Sequence, residues 1–406
     1  MSARRTRVRR AAAVLTAMAL GLGLVGCQST PSAPSAGQST GPSAEAAPAA
    51  PKPTPVTVST RVGGDADAVP LDQAVRVQAR DGRLRSVKVT SAAGALAGRL
   101  SDDGAGWVAE DRLEPGTTYD VNALAERSDG QPRRVRSSFT TVALTLDQQT
   151  YPSIAPLAGE TVGVGMPVIV TFDVPVTDRA SIEKHLRVTS APRQRGAWHW
   201  LNDQEVHWRP ATYWRAGTDV TVDADINSIP AGAGIYGQES RQVSFQVGDA
   251  VISKVNAQTF QMQTFINGAL AQTTPITTGK PGFTTRSGVK VIMEKFRERR
   301  MNSETVGISR DDPEAYDIDD VEYAMRVTYS GEFLHAAPWS VGSQGYANVS
   351  HGCTGMSTSN AEWFFDISKR GDVVEYTGTD RPMTLDNGYG DWNASFADYA
   401  QGSALH

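Results

Sequence analysis

Cysteine is almost absent from this 406-residue sequence, which contains only Cys27 and Cys353. Cys27 ends an apolar N-terminal segment, so Cys353 has no intrachain disulfide partner once that segment is processed. A lone thiol in an oxidising compartment is a liability unless the protein uses it. The scarcity of cysteine therefore excludes a structural disulfide for Cys353 and makes this residue a candidate nucleophile.

The sequence also lacks an excess of basic residues, with 39 Lys and Arg against 44 Asp and Glu. Five of the arginines lie within residues 1–26, which contain no acidic residue, so their removal lowers the net charge from −5 to −10. An acidic protein without a basic stripe is a poor partner for nucleic acid. We therefore predict that the chain binds no nucleic acid.

Long hydrophobic runs are missing as well, apart from the segment Ala11–Leu24, which is too short to span a bilayer comfortably. An arginine-rich stretch precedes this segment, and Leu24-Val25-Gly26-Cys27 follows it in a pattern that resembles a bacterial lipobox. The resemblance predicts cleavage before Cys27, lipidation of Cys27, and anchoring to the outer face of the cell membrane. The alternative is an ordinary secretory signal with a chance cysteine.

The remaining sequence predicts a mainly β protein. Short alternating runs separated by turn residues indicate two immunoglobulin-like β-sandwiches, then a β-rich domain with one main helix. The residues before them lack a hydrophobic period and are rich in Pro, Ala and Ser, which indicates a disordered tether. The predicted boundaries are 1–26 for the signal segment, 27–55 for the tether, 56–142 and 143–249 for the sandwiches, 250–379 for the third domain and 380–406 for a C-terminal extension.

Several elements of the third part are predicted individually. The apolar spacing over Ser359–Lys369 indicates the helix, with N-cap candidates before it and Gly371 after it. The C-terminal extension contains Trp392 and Tyr399, which predicts that it packs back on a folded domain. The polar segment Arg297–Glu322 shows no strand alternation and is a candidate lid.

The second sandwich contains an aromatic cluster, for which two interpretations are open. A sugar-binding groove is one, and an ordinary sandwich core is the other and favoured one. The cluster comprises Trp198, His199, Trp200, His207, Trp208 and Trp214.

The chemistry is concentrated in the third part, where His335 precedes the motif Ser350-His351-Gly352-Cys353. A cysteine nucleophile needs either a general base or a preformed thiolate–imidazolium pair. The turn around Gly352 would let backbone amides near Gly352 and Cys353 form an oxyanion hole. Two histidines and one cysteine could instead bind zinc, but we predict neither a metal nor a cofactor.

These residues carry a resemblance to a known family. The Ser-His-Gly-Cys motif, the preceding His335-Ala336-Ala337-Pro338-Trp339-Ser340 and the tandem sandwiches resemble the actinobacterial L,D-transpeptidases, whose catalytic domain is called YkuD-like. The resemblance implies that Cys353 is the nucleophile, that His335 is the general base and that Ser350, His351 and Gly352 shape the site. It further implies a substrate-binding role for Tyr316, Ser330, Gly331, Met301, Trp339 and Gly355.

Two positions depart from the family pattern. Gly355 stands where many members have asparagine, so an amide contact to the donor is missing or supplied elsewhere. Ala336 stands where relatives can carry serine, which is harmless if the backbone carbonyl of that residue orients the imidazole.

The resemblance implies a peptidoglycan L,D-transpeptidase that joins stem tetrapeptides by 3→3 cross-links through a thioester on Cys353, with release of D-Ala. It also implies acylation by β-lactams of the carbapenem class. Three alternatives differ in chemistry: an L,D-carboxypeptidase that uses water, an enzyme that anchors proteins to peptidoglycan, and a wall-binding lipoprotein without enzymatic activity.

Overall fold

The structure, a computed structural model, describes residues 54–63 and 65–405. Cys27, the predicted signal segment and most of the predicted tether lie outside the described residues. Within the described residues, no helix has the length and apolar character needed to cross a membrane. The prediction of a mainly β fold is confirmed, because 28 strands, three short α-helices and four 3₁₀-helices make up the regular structure of this part of the chain.

The first sandwich consists of two four-stranded sheets, with strand orders β1-β2-β6-β5 and β4-β3-β7-β8. Alternation along β7 buries Tyr119, Val121, Ala123 and Ala125 on one face, as expected for a sheet with one solvated side. The strands are β1 Thr57–Arg61, β2 Arg76–Arg80, β3 Gly82–Ser91, β4 Gly94–Leu96, β5 Gly98–Leu100, β6 Gly106–Ala109, β7 Thr118–Arg127 and β8 Pro132–Thr140.

The second sandwich pairs the sheets β10-β12-β15-β14 and β11-β19-β16-β13 and adds the small sheet β17-β18-β9. Its elements are β9 Gln149–Thr150, β10 Pro152–Ala155, β11 Thr161–Val162, β12 Val168–Phe172, α1 Arg179–Glu183, β13 Leu186–Ala191, β14 Gly196–Asn202, β15 Glu205–Pro210, β16 Asp219–Ala224, β17 Pro230–Gly232, β18 Ile235–Gly237 and β19 Arg241–Val247.

The aromatic cluster of this sandwich is buried, which confirms the core interpretation. Trp198, Trp200, Trp208 and Trp214 are each less than a tenth exposed and belong to one hydrophobic core. The rings of Trp208 and Trp214 lie 5.2 Å apart. No open aromatic face is left on these four side chains for a sugar to stack on.

The third domain contains a five-stranded sheet, β22-β21-β20-β28-β23, and a four-stranded sheet, β24-β25-β26-β27. The tight turn at Asn267-Gly268 joins β21 to β22, with both residues at positive φ. The elements are β20 Val251–Asn256, β21 Gln261–Ile266, β22 Ala269–Pro275, β23 Gly288–Val291, β24 Glu294–Asn302, β25 Asp317–Arg326, β26 Phe333–Ala336, β27 Thr354–Met356, α2 Thr358–Ile367, β28 Val373–Thr377 and α3 Phe396–Ala400.

The helix α2 confirms the predicted helix, with Ser357 accepting a capping hydrogen bond from the Asn360 amide. The candidate lid is only partly irregular, which corrects the prediction that this segment lacks strands. β24 and β25 form an antiparallel hairpin, and residues 303–316 form the loop at its tip. The strand pattern was obscured because both faces of this hairpin carry charged residues.

The C-terminal extension packs back on the second sandwich, as its aromatic residues predicted. The buried Asp391 accepts hydrogen bonds from His207 Nδ1 at 3.0 Å and from the Tyr399 hydroxyl at 2.9 Å. Arg209 donates to the backbone carbonyls of Asp391 and Ala394. The second sandwich also shares its hydrophobic core with the third domain through residues such as Val291 and Val373.

Candidate active site

Two adjacent parallel strands bring Cys353 and His335 together. β26 and β27 pair with Leu334 opposite Thr354 and His335 opposite Gly355, and Cys353 immediately precedes β27. All seven residues of the two strands are buried, which is typical of short parallel strands covered on both faces. The imidazole therefore comes from a rigid strand and the thiol from the turn that enters its neighbour.

The imidazole of His335 is oriented by a backbone carbonyl. Its Nδ1 lies 2.7 Å from the carbonyl oxygen of Ala336, which can only accept, so Nδ1 carries the proton and Nε2 is left as the basic nitrogen. Burial lowers the pKa of His335, and the ring of Trp339 stacks on it at 5.9 Å. Since the carbonyl does the orienting, alanine at position 336 serves this purpose as well as serine.

The surroundings of Cys353 favour the neutral thiol over the thiolate. Burial raises the pKa of Cys353 to about 11, although the backbone amide of Phe333 and the charge of Lys290 act in the opposite direction. The Sγ atom lies 3.6 Å from the carbonyl oxygen of Gly331, to which it donates. A neutral thiol beside a neutral imidazole points to proton transfer during attack rather than to a preformed ion pair.

Ser350 and Gly352 build the turn that presents the thiol. The Ser350 hydroxyl donates to the Cys353 carbonyl at 2.6 Å and accepts from the Gly352 amide at 3.1 Å. Gly352 has φ +122°, a conformation that side chains other than glycine rarely adopt. Because the Gly352 amide already donates to the Ser350 hydroxyl, it is not free to donate to an oxyanion.

His351 connects this turn to the loop of the β24–β25 hairpin. Its Nε2 lies 2.8 Å from an oxygen of Glu314, which also pairs with Lys280 at 2.5 Å. Both contacts hold the pKa of the Glu314 carboxyl below its usual range. The ring of Tyr316 lies 5.0 Å from His351. Sequence analysis missed Glu314, because nothing local distinguishes it within an acidic segment.

A buried ion-pair network lies behind the nucleophile and was also missed. Lys290 is fully buried, its Nζ lies 2.5 Å from Glu332, and it sits 3.7 Å above the ring of Tyr376. Arg286 supplies a second partner for Glu332 at 3.0 Å. Burial lowers the pKa of Lys290 to about 8 despite this pairing. No sequence signal separates a buried lysine in a strand from the usual exposed one.

Cys353 lies at the junction of two cavities. One has a volume of about 250 Å³ and contains most of the predicted site residues, namely His335, Trp339, Ser350, His351, Gly355, Met301 and Tyr316. The other has a volume of about 580 Å³ and contains Gly331 and several arginines, and it shares Met301, Tyr316 and Cys353 with the first. Ser330 lines neither cavity; its hydroxyl accepts from Asn387 of the C-terminal extension.

Neighbouring side chains occupy the space next to the Cα atom of Gly355. A Cβ atom there would lie 2.9 Å from Cβ of Ala337 and 3.1 Å from Cγ2 of Thr277, closer than ordinary van der Waals contact. The space that a larger residue would need at this position is therefore filled. Among the described residues, no group of three or more His, Cys, Asp or Glu side chains is arranged to hold a metal ion.

Comparisons with known proteins agree with this geometry. Residues 250–375 match the family model described as the L,D-transpeptidase catalytic domain, and residues 66–230 match a bacterial Ig domain. The chain is 36% identical over 409 residues to L,D-transpeptidase 2 of Mycobacterium tuberculosis, covering 98% of this chain and 97% of that protein.

The chain belongs to the L,D-transpeptidase family.

A second L,D-transpeptidase of the same organism, number 5, is 33% identical and covers 87% of this chain and 78% of its own length. A solved structure of an L,D-transpeptidase in complex with imipenem superposes with a TM-score of 0.50 at 37% identity, over 57% of this chain and 99% of that one. This chain is thus an L,D-transpeptidase with immunoglobulin-like domains and a YkuD catalytic domain.

Proposed function

We propose that this L,D-transpeptidase forms 3→3 cross-links between meso-diaminopimelate residues of peptidoglycan stem tetrapeptides. The observation that carries the proposal is the position of Cys353 at the junction of two cavities. An enzyme that joins two peptides must let a donor and an acceptor reach the same carbonyl carbon. Two cavities that meet at one thiol suit this requirement.

The proposed acylation step begins with transfer of the Cys353 proton to Nε2 of His335. The sulfur attacks the carbonyl at the L-centre of meso-diaminopimelate, and the amide of Cys353 stabilises the oxyanion. Collapse breaks the bond to D-Ala, whose nitrogen takes the proton from His335 as it leaves. The product is a thioester between the donor stem and Cys353.

The second step returns the enzyme to its starting state. The side-chain amine of an acceptor stem attacks the thioester carbonyl and gives its proton to His335. Collapse then forms the new amide and releases Cys353, which recovers its proton. The loop 303–316, which includes Tyr316, and the flanking residue Met301 would shield the thioester from water during this step.

The proposal extends to β-lactams of the carbapenem class. A relative has been solved in complex with imipenem. We expect the Cys353 sulfur to attack the β-lactam carbonyl in the same way, which opens the ring and leaves a covalent adduct on the enzyme.

The proposal also places the enzyme outside the cytoplasm, held to the outer face of the cell membrane by lipid on Cys27 and acting in the cell wall.

Intact-mass spectrometry tests the reaction directly. Mixing the enzyme with a disaccharide tetrapeptide should release D-Ala, produce an adduct on Cys353 and then a 3→3 dimer. Cys353→Ala should abolish the adduct, and His335→Gln should slow its formation by roughly 10²–10⁴-fold while the protein stays folded. Hydrolysed tripeptide without dimer would indicate a carboxypeptidase, and attachment only to a protein amine would indicate an anchoring enzyme. Full biological activity of Cys353→Ala would instead indicate a wall-binding protein.

A further inference from the structure

The larger of the two cavities carries positive charge in an otherwise acidic protein. Arg299, Arg300 and Arg326 line it, with Glu304 as the only acidic residue among its lining. The whole chain has a net charge of −5. A positively charged cavity attracts anionic ligands and raises their local concentration, even when the protein as a whole is negatively charged.

Most of these charges are already paired. Arg300 contacts Asp317 at 2.5 Å and Asp319 at 3.2 Å, and Glu304 contacts Arg310 at 3.0 Å. Arg326 has a looser partner in Glu294 at 3.5 Å. Arg299 differs from all of them, because no acidic side chain among the described residues forms an ion pair with it.

Aromatic contacts hold Arg299 in place without neutralising it. Its guanidinium lies 4.4 Å from the ring centre of Phe296 and 5.8 Å from that of Phe333. The guanidinium of Arg326 also lies over the ring of Phe333, at 5.3 Å from its centre. A guanidinium stacked on apolar rings keeps its charge and its fork of donors, which suits bidentate recognition of a carboxylate. Phe333 lies two residues before His335 on β26. The two arginines over its ring, Arg299 and Arg326, therefore lie close to the reacting groups.

We propose that Arg299, assisted by Arg326, forms a carboxylate-binding subsite for the donor stem and favours stems whose carboxyl groups are free rather than amidated. The inference rests on the proposed function, because it takes a peptidoglycan stem as the ligand. Gly331 and Tyr316, which the family resemblance assigns to the donor path, line this same cavity. Amidation removes the negative charge of a stem carboxylate, and with it the interaction that a guanidinium provides.

The test compares two synthetic disaccharide tetrapeptides, one with free carboxyl groups on D-glutamate and meso-diaminopimelate and one with both groups amidated. The rate of acyl-enzyme formation is followed by intact mass over a range of donor concentrations. The wild-type enzyme should be acylated about tenfold faster by the free-acid stem at low concentration, a difference of about 1.4 kcal/mol. Arg299→Gln should abolish this preference by raising the half-saturating concentration of the free-acid stem, and Arg326→Gln should reduce it.

Arg297→Gln is the matched control. Arg297 lies on the same strand but contacts Tyr323 at 4.2 Å and Glu362 at 3.9 Å, and it does not line the cavity. This variant should keep the full preference for the free-acid stem. Imipenem adduct formation on every variant verifies that the site is folded.

The outcomes separate the two proposals. Equal acylation of the wild-type enzyme by both stems, or equal behaviour of Arg299→Gln and Arg297→Gln, overturns the carboxylate subsite and leaves the proposed function standing. Failure of both stems to acylate a protein that reacts with imipenem overturns both proposals.

Discussion

At the residue scale, the reactivity of Cys353 is governed by burial. A thiol in an apolar environment resists ionisation, and the nearby amide and ammonium groups only partly compensate. The protein thus combines a thiol whose ionisation is disfavoured by burial with an imidazole in the same cavity whose protonated nitrogen is set by one backbone carbonyl. Such an arrangement limits side reactions of the sulfur until a substrate is in place.

We expect the alkylation rate of Cys353 by iodoacetamide to rise with pH and to reach half of its plateau near pH 11, because only the thiolate reacts and burial raises the pKa of Cys353 to about 11. The rate is measured by intact mass on a Cys27→Ser variant, in which Cys353 is the only thiol. A plateau below pH 8 would reveal a preformed thiolate and contradict the general-base mechanism.

Gly355 provides a second prediction at this scale. Gly355→Asn should lower the free energy of unfolding by about 1–3 kcal/mol, because the new Cβ would collide with Cβ of Ala337. Adding Ala337→Gly removes that atom and should recover part of the loss. Urea unfolding of the two single variants and the double variant measures the coupling. Strictly additive effects would show that the two positions do not compete for space.

At the scale of single elements, the Glu314 carboxylate and the Tyr316 ring link the β24–β25 hairpin to the turn that contains Cys353, both through His351. Glu314 belongs to the loop 303–316, and its partners Lys280 and His351 belong to other segments of the third domain. The hairpin itself forms through its own strand pairing. The contact at Glu314 therefore positions the loop relative to the active site without being needed for folding.

Glu314→Gln should speed hydrogen exchange within residues 303–316 while leaving the melting temperature of the protein nearly unchanged. The neutral side chain loses its ion pair to Lys280 and weakens its contact with His351, so that the Tyr316–His351 ring contact remains as the link to the turn. Exchange is measured by mass spectrometry of peptides. Glu304→Gln is the control, since Glu304 pairs with Arg310 inside the same loop. Equal acceleration in both variants would argue against a specific role for Glu314.

At the scale of the whole molecule, a buried ion pair ties the C-terminal extension to the second sandwich. His207 is fully buried between Asp391 and Glu205, and these carboxylates raise the pKa of His207 to about 9 against the opposing effect of burial. The same pairing lowers the pKa of Asp391. The interface thus depends on a charged histidine within the core of the protein.

The pH dependence of stability follows from this pair. Because the folded state raises the pKa of His207 from 6.5 to about 9, its contribution is fully present below pH 6.5 and is lost as pH rises to about 9. The expected loss is on the order of 3 kcal/mol, measured by urea unfolding across this range. His207→Gln should flatten the dependence on pH.

Tyr399→Phe serves as the control for this prediction. It removes the hydrogen bond from the tyrosine hydroxyl to Asp391 but leaves the ion pair with His207. This variant should be less stable at every pH and should keep the slope between pH 6.5 and pH 9. Parallel curves for the wild type and His207→Gln would show that His207 does not supply the slope.

Much of this architecture was predictable from local patterns. Alternating runs in the sandwiches, the Asn267-Gly268 turn and the cap of α2 are decided by neighbouring residues, so the sequence alone is enough to place them. The motif around Cys353 was also visible in the sequence, because Cys353 stands two residues after a histidine and because the motif resembles that of a known family. The two strands of the charged β24–β25 hairpin were not predicted, because a strand with charged residues on both faces lacks the alternation of apolar and polar residues on which such predictions depend.

The reactive groups and the fold class follow from local sequence: a thiol, an imidazole, a glycine next to the thiol, and strand patterns typical of a mainly β protein. The residues that surround these groups come from distant segments and are known only from the folded chain. Lys290, Glu314 and Arg299 look like ordinary charged residues in the sequence. Folding buries the first behind Cys353, pairs the second with His351 and leaves the third unpaired in a cavity, because burial and charge pairing depend on segments far apart in the chain.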